Sequence, residues 1–178
     1  LAGSAARGET AREDARLAQQ LLRSEKDLWE QNLVLKTIVE NLESLGLKPA
    51  YPDTVRLVQL ANVQHLCTPI TAELSSDLHL LDVVSKLHPT PAVGGMPRQE
   101  ALKIIQQLEP NPRGLYAGPL GWFNDRGEGE AIVALRCAWI HGNCARLYAG
   151  SGIVAGSEPL LERQETQIKW EALRPILQ

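Results

Sequence analysis

The stretch EAIVALRCAWIHGNCARLYAGSGIV, residues 130–154, decides the fold. Residues 130–140 are almost wholly apolar and predict a strand buried on both faces. Gly142-Asn143 is a two-residue turn signal, and residues 144–154 predict a second strand running back. If that turn closes a two-residue hairpin, His141 faces Cys144 and Cys137 faces Tyr148. Upstream, residues 115–123 read as a further strand, joined through the turn-rich residues 124–129. The three strands together predict an antiparallel β-meander.

Helices flank this block. Residues 9–45 carry Leu17, Leu21, Leu28, Val34, Ile38, Leu42 and Leu45 at helical spacings, and Gly46 follows as a stop. A break near Ser24 would let that serine cap a second helix. Residues 54–73 look extended, with Asn62 as a bend. Residues 77–87 predict a short helix capped by Asp77 or Ser76. Residues 88–97, with three prolines and Gly94-Gly95, predict a rigid loop, and Pro97 suits the first turn of a helix to about Glu109. Residues 158–177 predict a last helix whose regular part Pro175 limits. Helices packed on an antiparallel sheet give an α+β (layered α/β) class, and 178 residues suit one domain.

Composition narrows the function. The chain is 44% hydrophobic and 22% charged with net charge −3, so bulk electrostatics predict no nucleic-acid partner. No apolar run approaches a membrane span, so no membrane partner is expected. Cys67, Cys137 and Cys144 match no zinc or redox spacing; reduced thiols point to a cytoplasmic protein. The one methionine is Met96 and residue 1 is leucine, which predicts that translation began upstream.

Several residues carry chemistry. Arg136 sits inside the apolar run, with Ile132, Ala134, Ala138 and Ile140 on its face. A buried guanidinium needs an anion: either a core carboxylate or the carboxylate or phosphate of a ligand. Glu162, Glu165 and Lys169 share one helical stripe, and Asp27 and Glu30 form a second acidic pair three apart. These are either solvated faces with an ordinary Glu–Lys pair or two carboxylate pairs able to hold Mg²⁺, which binds through one or two carboxylates plus waters. The glycine-bearing residues 113–122, 147–154 and 94–95 suit close approach by a ligand or bulges, and none is a Walker or dinucleotide motif. His65 lies in an extended stretch, where a lone histidine is more often structural than catalytic. His79 and His141 suit the surface, and His88 suits a loop anchor.

Taken in order, LAGS (1–4), SEKDLWE (24–30), QHLCTP (64–69), HPTPAVGG (88–95), RGLYAGPLGW (113–122), ALRCA (134–138), LYAGSGIV (147–154) and ERQETQIK (162–169) resemble the C-terminal part of the chorismate-utilising enzymes. The wording is most like the isochorismate synthases. The resemblance implies that residues 1–178 are the C-terminal part of one chorismate-binding catalytic domain, with the N-terminal part as its missing partner. It implies Mg²⁺ on Glu30 and Glu165, with Asp27 and Glu162 as acidic neighbours. It matches Gly3 and Ser4 to a contact with the ring carboxylate of chorismate. Arg136 matches the grip on the enolpyruvyl carboxylate, and Tyr148, Gly150 and Lys169 match further contacts there. His65 matches a histidine beside the ring and, with Lys169, stands as a catalytic candidate.

Ala92 falls where pyruvate-releasing members carry threonine. The resemblance therefore favours isomerisation of chorismate to isochorismate, by water addition at C2 and loss of the C4 hydroxyl. The alternatives are a pyruvate-releasing relative of the salicylate or anthranilate synthase kind, or a non-catalytic module on the same scaffold. The family's general base, a lysine, and its general acid, a glutamate, match no residue here, which predicts little turnover by these residues alone.

Overall fold

The computed structural model describes residues 1–171 and 173. In chain order the elements are β1 (Ala2–Ala6), α1 (Ala11–Arg23), α2 (Glu25–Ser44), β2 (Arg56–Gln59), β3 (Val63–Cys67), α3 (Leu80–Leu87), α4 (Pro91–Gly94), α5 (Arg98–Leu108), β4 (Pro119–Phe123), β5 (Gly129–Val133), β6 (Cys137–His141), β7 (Cys144–Tyr148) and α6 (Pro159–Glu171). The expected end of the last helix, with Pro175, lies outside the described residues. This is the expected α+β class, helices with antiparallel sheets. The chain divides into two compact units.

The first unit comprises residues 1–32, 54–68 and 135–178. Its centre is a three-stranded antiparallel sheet in the order β1-β3-β2, with β3 in the middle. Middle position explains burial: Val63, Gln64, His65 and Leu66 are all buried. β2 and β3 meet at residues 60–62, where the bend at Asn62 was expected. β1 has no sequence signal beyond the motif at residues 1–4; its length comes from pairing with β3. Its register slips between Ala2, opposite Leu66, and Ser4, opposite His65. Gly3 is the extra residue of that bulge, with φ of 74°. A Cβ there would lie 2.9 Å from Asp27 Cβ, so the position needs glycine twice over.

Two helices arise where expected. Thr10 caps α1 by accepting from Glu13 N–H. Ser24 ends α1, and its Oγ accepts from Asp27 N–H as α2 begins. The hairpin β6–β7 has the expected register, with His141 opposite Cys144 and Cys137 opposite Tyr148. All three cysteines are free.

The second unit comprises residues 33–53 and 69–134. It holds α3, α4, α5 and the hairpin β4–β5. The start of α3 corrects the sequence reading. His79, not Asp77 or Ser76, is the cap: its Nδ1 accepts from Leu81 N–H, while Asp82 accepts from His79 N–H. A side chain three residues into the helix answers the cap, which neither Asp77 nor Ser76 offers. The expected rigid loop contains the single turn α4. Arg113 braces it by donating to the Val93 carbonyl at 2.7 Å, while Glu109 holds the guanidinium from its other edge. His88 anchors its segment through its backbone carbonyl, which accepts from Arg98.

The meander does not form. Residues 130–140 are not one strand but β5 and β6, which belong to separate two-stranded sheets. The break falls at Arg136, a non-glycine residue with φ of 49°. A left-handed residue ends extended geometry at once, and it costs about 1–3 kcal/mol. Arg136 therefore does not share a strand face with Ile132 and Ala134. Burial on both faces also fails: Ile132 is 55% and Ile140 62% exposed. Among the described residues each hairpin strand pairs with only one neighbour. The expected strand 144–154 likewise stops at Tyr148, and 115–123 begins only at Pro119.

Candidate functional site

The first unit gathers every sequence-derived candidate except Ala92, which lies half-buried in α4 of the second unit. The candidates form a carboxylate cluster and a guanidinium; the bulge at Gly3 lies against Asp27 of the first, and the adjoining Ser4 meets His65, which holds the second.

The carboxylates come from α2 and α6. Spacing of three places Asp27 and Glu30 on one face of α2, and Glu162 and Glu165 on one face of α6. Glu30 is half-buried, and its carboxyl is pushed above the ordinary carboxylate range. Burial is the main cause, followed by the negative charges of Glu165 and Asp27. The Gly3 backbone works weakly the other way. Gly152 backs Glu30 closely: a Cβ there would meet Glu30 Oε1 at 2.8 Å. Ser24 Oγ donates to Asp27.

Two lysines offset part of this charge. Lys169 Nζ donates to Glu165 Oε1 at 2.6 Å and to the Gly150 carbonyl at 2.9 Å. Lys169, Glu165 and Gly150 are thus brought together as a group. Lys26 Nζ donates to Glu162 Oε1 at 2.5 Å. Burial works against the charge on Glu162, but Lys26, with help from the Ser157 and Ser151 side chains, outweighs it and holds the carboxyl below its usual range. Glu162 Oε2 remains buried with no hydrogen-bond partner among the described residues. Sequence reasoning did not assign Lys26; its neighbours in the SEKDLWE segment gave only the acidic pair, and its partner is 136 residues away.

Arg136 is half-buried, and burial alone presses its pKa below the usual value. Among the described residues no carboxylate lies within ion-pair distance of it. The internal salt bridge, one of the two sequence readings, is therefore not made there. Its side-chain partner is instead His65 Nε2, at 2.6 Å. His65 Nδ1 lies 3.1 Å from Ser4 Oγ. His65 is 8% exposed, and its pKa is pushed down to about 4. Burial is the largest cause, and the positive charge of Arg136 comes next. Tyr148, near the end of β7, pairs with Cys137 across the hairpin.

Among the described residues no three His, Cys, Asp or Glu side chains converge as a ready metal cluster. The donor set still fits a hard divalent cation, because Mg²⁺ needs only one or two protein carboxylates. Glu30, held towards its neutral form by burial and by the charges of Glu165 and Asp27, marks a local deficit of positive charge. Among the described residues no helix is long and apolar enough to cross a membrane.

Comparison with known proteins identifies the family. The sequence profile of the family described as "chorismate binding enzyme" matches residues 1–178. The chain is 48% identical to the salicylate biosynthesis isochorismate synthase of Pseudomonas aeruginosa, over 99% of this chain and 37% of that protein. It is 43% identical to the isochorismate synthase MenF of Bacillus subtilis, over 99% of this chain and 37% of that protein. The solved structure of MenF, the menaquinone-specific isochorismate synthase from Escherichia coli, superposes with a TM-score of 0.87 at 35% identity. That match covers 99% of this chain and 41% of the solved one. The chain thus spans well under half the length of these relatives.

Proposed function

This chain belongs to the chorismate-binding-enzyme family, and on that premise we propose that it supplies the metal-binding and carboxylate-gripping share of an isochorismate synthase site. In this reading residues 1–178 are the C-terminal part of a larger catalytic domain. The substrate is chorismate and the product isochorismate. The observation that carries the reading is a pair of unbalanced groups in one unit: a half-buried guanidinium with no carboxylate partner among the described residues, and a half-buried Glu30 carboxyl held towards its neutral form beside Glu165 and Asp27.

An ordinary fold-stabilising network would have joined these groups to each other. Their separation suits a small acid that brings its own carboxylates. Arg136 binds the enolpyruvyl carboxylate by charge-assisted hydrogen bonds. Ser4 and the Gly3 backbone contact the ring carboxylate. Tyr148, Gly150 and Lys169 complete the wall around the enolpyruvyl group. Glu30 and Glu165 would hold Mg²⁺, with Asp27 and Glu162 beside them. When bound, that cation supplies positive charge against the ring carboxylate. Water adds at C2 as the C4 hydroxyl leaves, and these transfers need a positioned base and acid. We assign both to residues outside positions 1–178, because no residue here matches the family's lysine base or glutamate acid.

The test is product analysis with chorismate and Mg²⁺, using the longest protein that contains this chain. Isochorismate without pyruvate is the expected outcome. Release of pyruvate would replace this reading with that of a pyruvate-eliminating relative, and Ala92 would lose its discriminating role. Binding of chorismate with no turnover by that protein would favour a non-catalytic module.

A further inference from the structure

His65 carries more information than its place beside a substrate ring. Both of its nitrogens are engaged by protein groups. Arg136 Nη2 lies 2.6 Å from Nε2. A guanidinium has only donors and keeps its proton in proteins, so Nε2 must offer its lone pair. The ring proton then sits on Nδ1, where Ser4 Oγ, 3.1 Å away, and the Gly3 backbone carbonyl stand as its acceptors. That leaves the serine's own hydroxyl hydrogen for another acceptor.

The backbone fixes this order. His65 stands directly opposite Ser4 in the β1–β3 pairing and opposite Val58 in the β2–β3 pairing. A residue in the middle strand of the sheet, 8% exposed, has little freedom to turn its ring. Arg136 reaches the ring from a strained backbone position between β5 and β6.

We propose that His65 is a positioning residue that yokes Arg136 to Ser4 as a locked Nδ1–H imidazole, and not an acid or base of the site. One ring thereby presets two donors, a guanidinium and a hydroxyl, for the two carboxylates of one small dianionic ligand. A proton-transferring histidine needs a nitrogen that reaches the substrate, and here neither is free. Assigning the donors to carboxylates rests on the function proposed above; the locked ring itself does not.

Nitrogen-15 spectra of the histidine rings of this chain at pH 7 test the lock directly, with the His65 signals assigned by their loss in His65→Gln. The expected spectrum has a protonated Nδ1 and a bare Nε2. Arg136→Met should move the proton largely to Nε2, whereas Ser4→Ala should leave Nε2 bare. A protonated Nε2 in the unaltered chain, or no change in Arg136→Met, overturns the proposal. Chorismate binding, followed by calorimetry in Mg²⁺, tests the consequence. His65→Gln should weaken it about tenfold or more, and equal affinity overturns the yoke's role in binding. If the locked tautomer is seen but the unaltered chain and the longest protein containing it both fail to bind chorismate, the function reading falls and the locked ring stands.

Discussion

Acid should destabilise the first unit through His65, by an amount the structure sets. An unfolded chain takes up a proton on this histidine near pH 6.5, whereas the folded ring resists until about pH 4. Between these values the unfolded state binds more protons, so stability falls as pH falls. The full separation corresponds to about 3 kcal/mol, at about 1.4 kcal/mol per pH unit. Most of it appears early: roughly 2 kcal/mol is lost by pH 5 relative to pH 7.5. Burial of the ring in the middle strand and the nearby Arg136 charge are the causes. His88, whose pKa is also pressed down by burial, titrates in the same range, so a wild-type profile alone does not isolate the effect. Urea unfolding of the wild type and of His65→Gln at pH 7.5, 6 and 5 does. The difference between the two proteins should shrink by roughly 2 kcal/mol across the series, because glutamine does not titrate. A constant difference would refute the reasoning. Direct titration of the His65 ring by NMR is the second measurement, and an ordinary midpoint near 6.5 would refute it equally.

Four further outcomes are expected. Arg136→Ala should weaken chorismate binding by roughly ten- to a hundredfold, the worth of a charge-assisted bidentate contact, in an equilibrium titration. Glu165→Ala should abolish the Mg²⁺ response, read as metal-induced stabilisation in thermal melts; an unchanged shift would displace the metal from α2 and α6. Gly3→Ala should cost about 1–3 kcal/mol in urea unfolding, since φ of 74° and the 2.9 Å approach to Asp27 both oppose a side chain. Lys26→Met should leave the Glu162 carboxylate buried without its cation, costing about 1–3 kcal/mol and raising the Glu162 pKa in a carboxylate titration.

Periodicity and turn chemistry made much of the fold readable. The leucine pattern from Leu17 to Leu45, the cap at Ser24 and the Gly142-Asn143 turn each act within a few residues. Local sterics and local hydrogen bonds decide such features, so the helices and the β6–β7 register emerge from sequence. The motif order likewise identifies the family that the sequence profile matches over residues 1–178.

Other features depend on partners far along the chain. Residues 130–140 are uniformly apolar, and nothing in that pattern signals a left-handed residue at Arg136; the break is set by what its guanidinium reaches, 71 positions away. β1 has five residues of weak strand character and exists because β3 offers it a ladder. Spacing predicted the acidic pairs, but the pairing of Lys26 with Glu162 joins two helices 136 positions apart. Sequence by itself determined the family, most of the helices and the β6–β7 turn. Only tertiary structure decided which charges are matched by a nearby opposite charge, as in Lys26 with Glu162, because desolvation and charge pairing depend on distances between segments that the chain order does not encode.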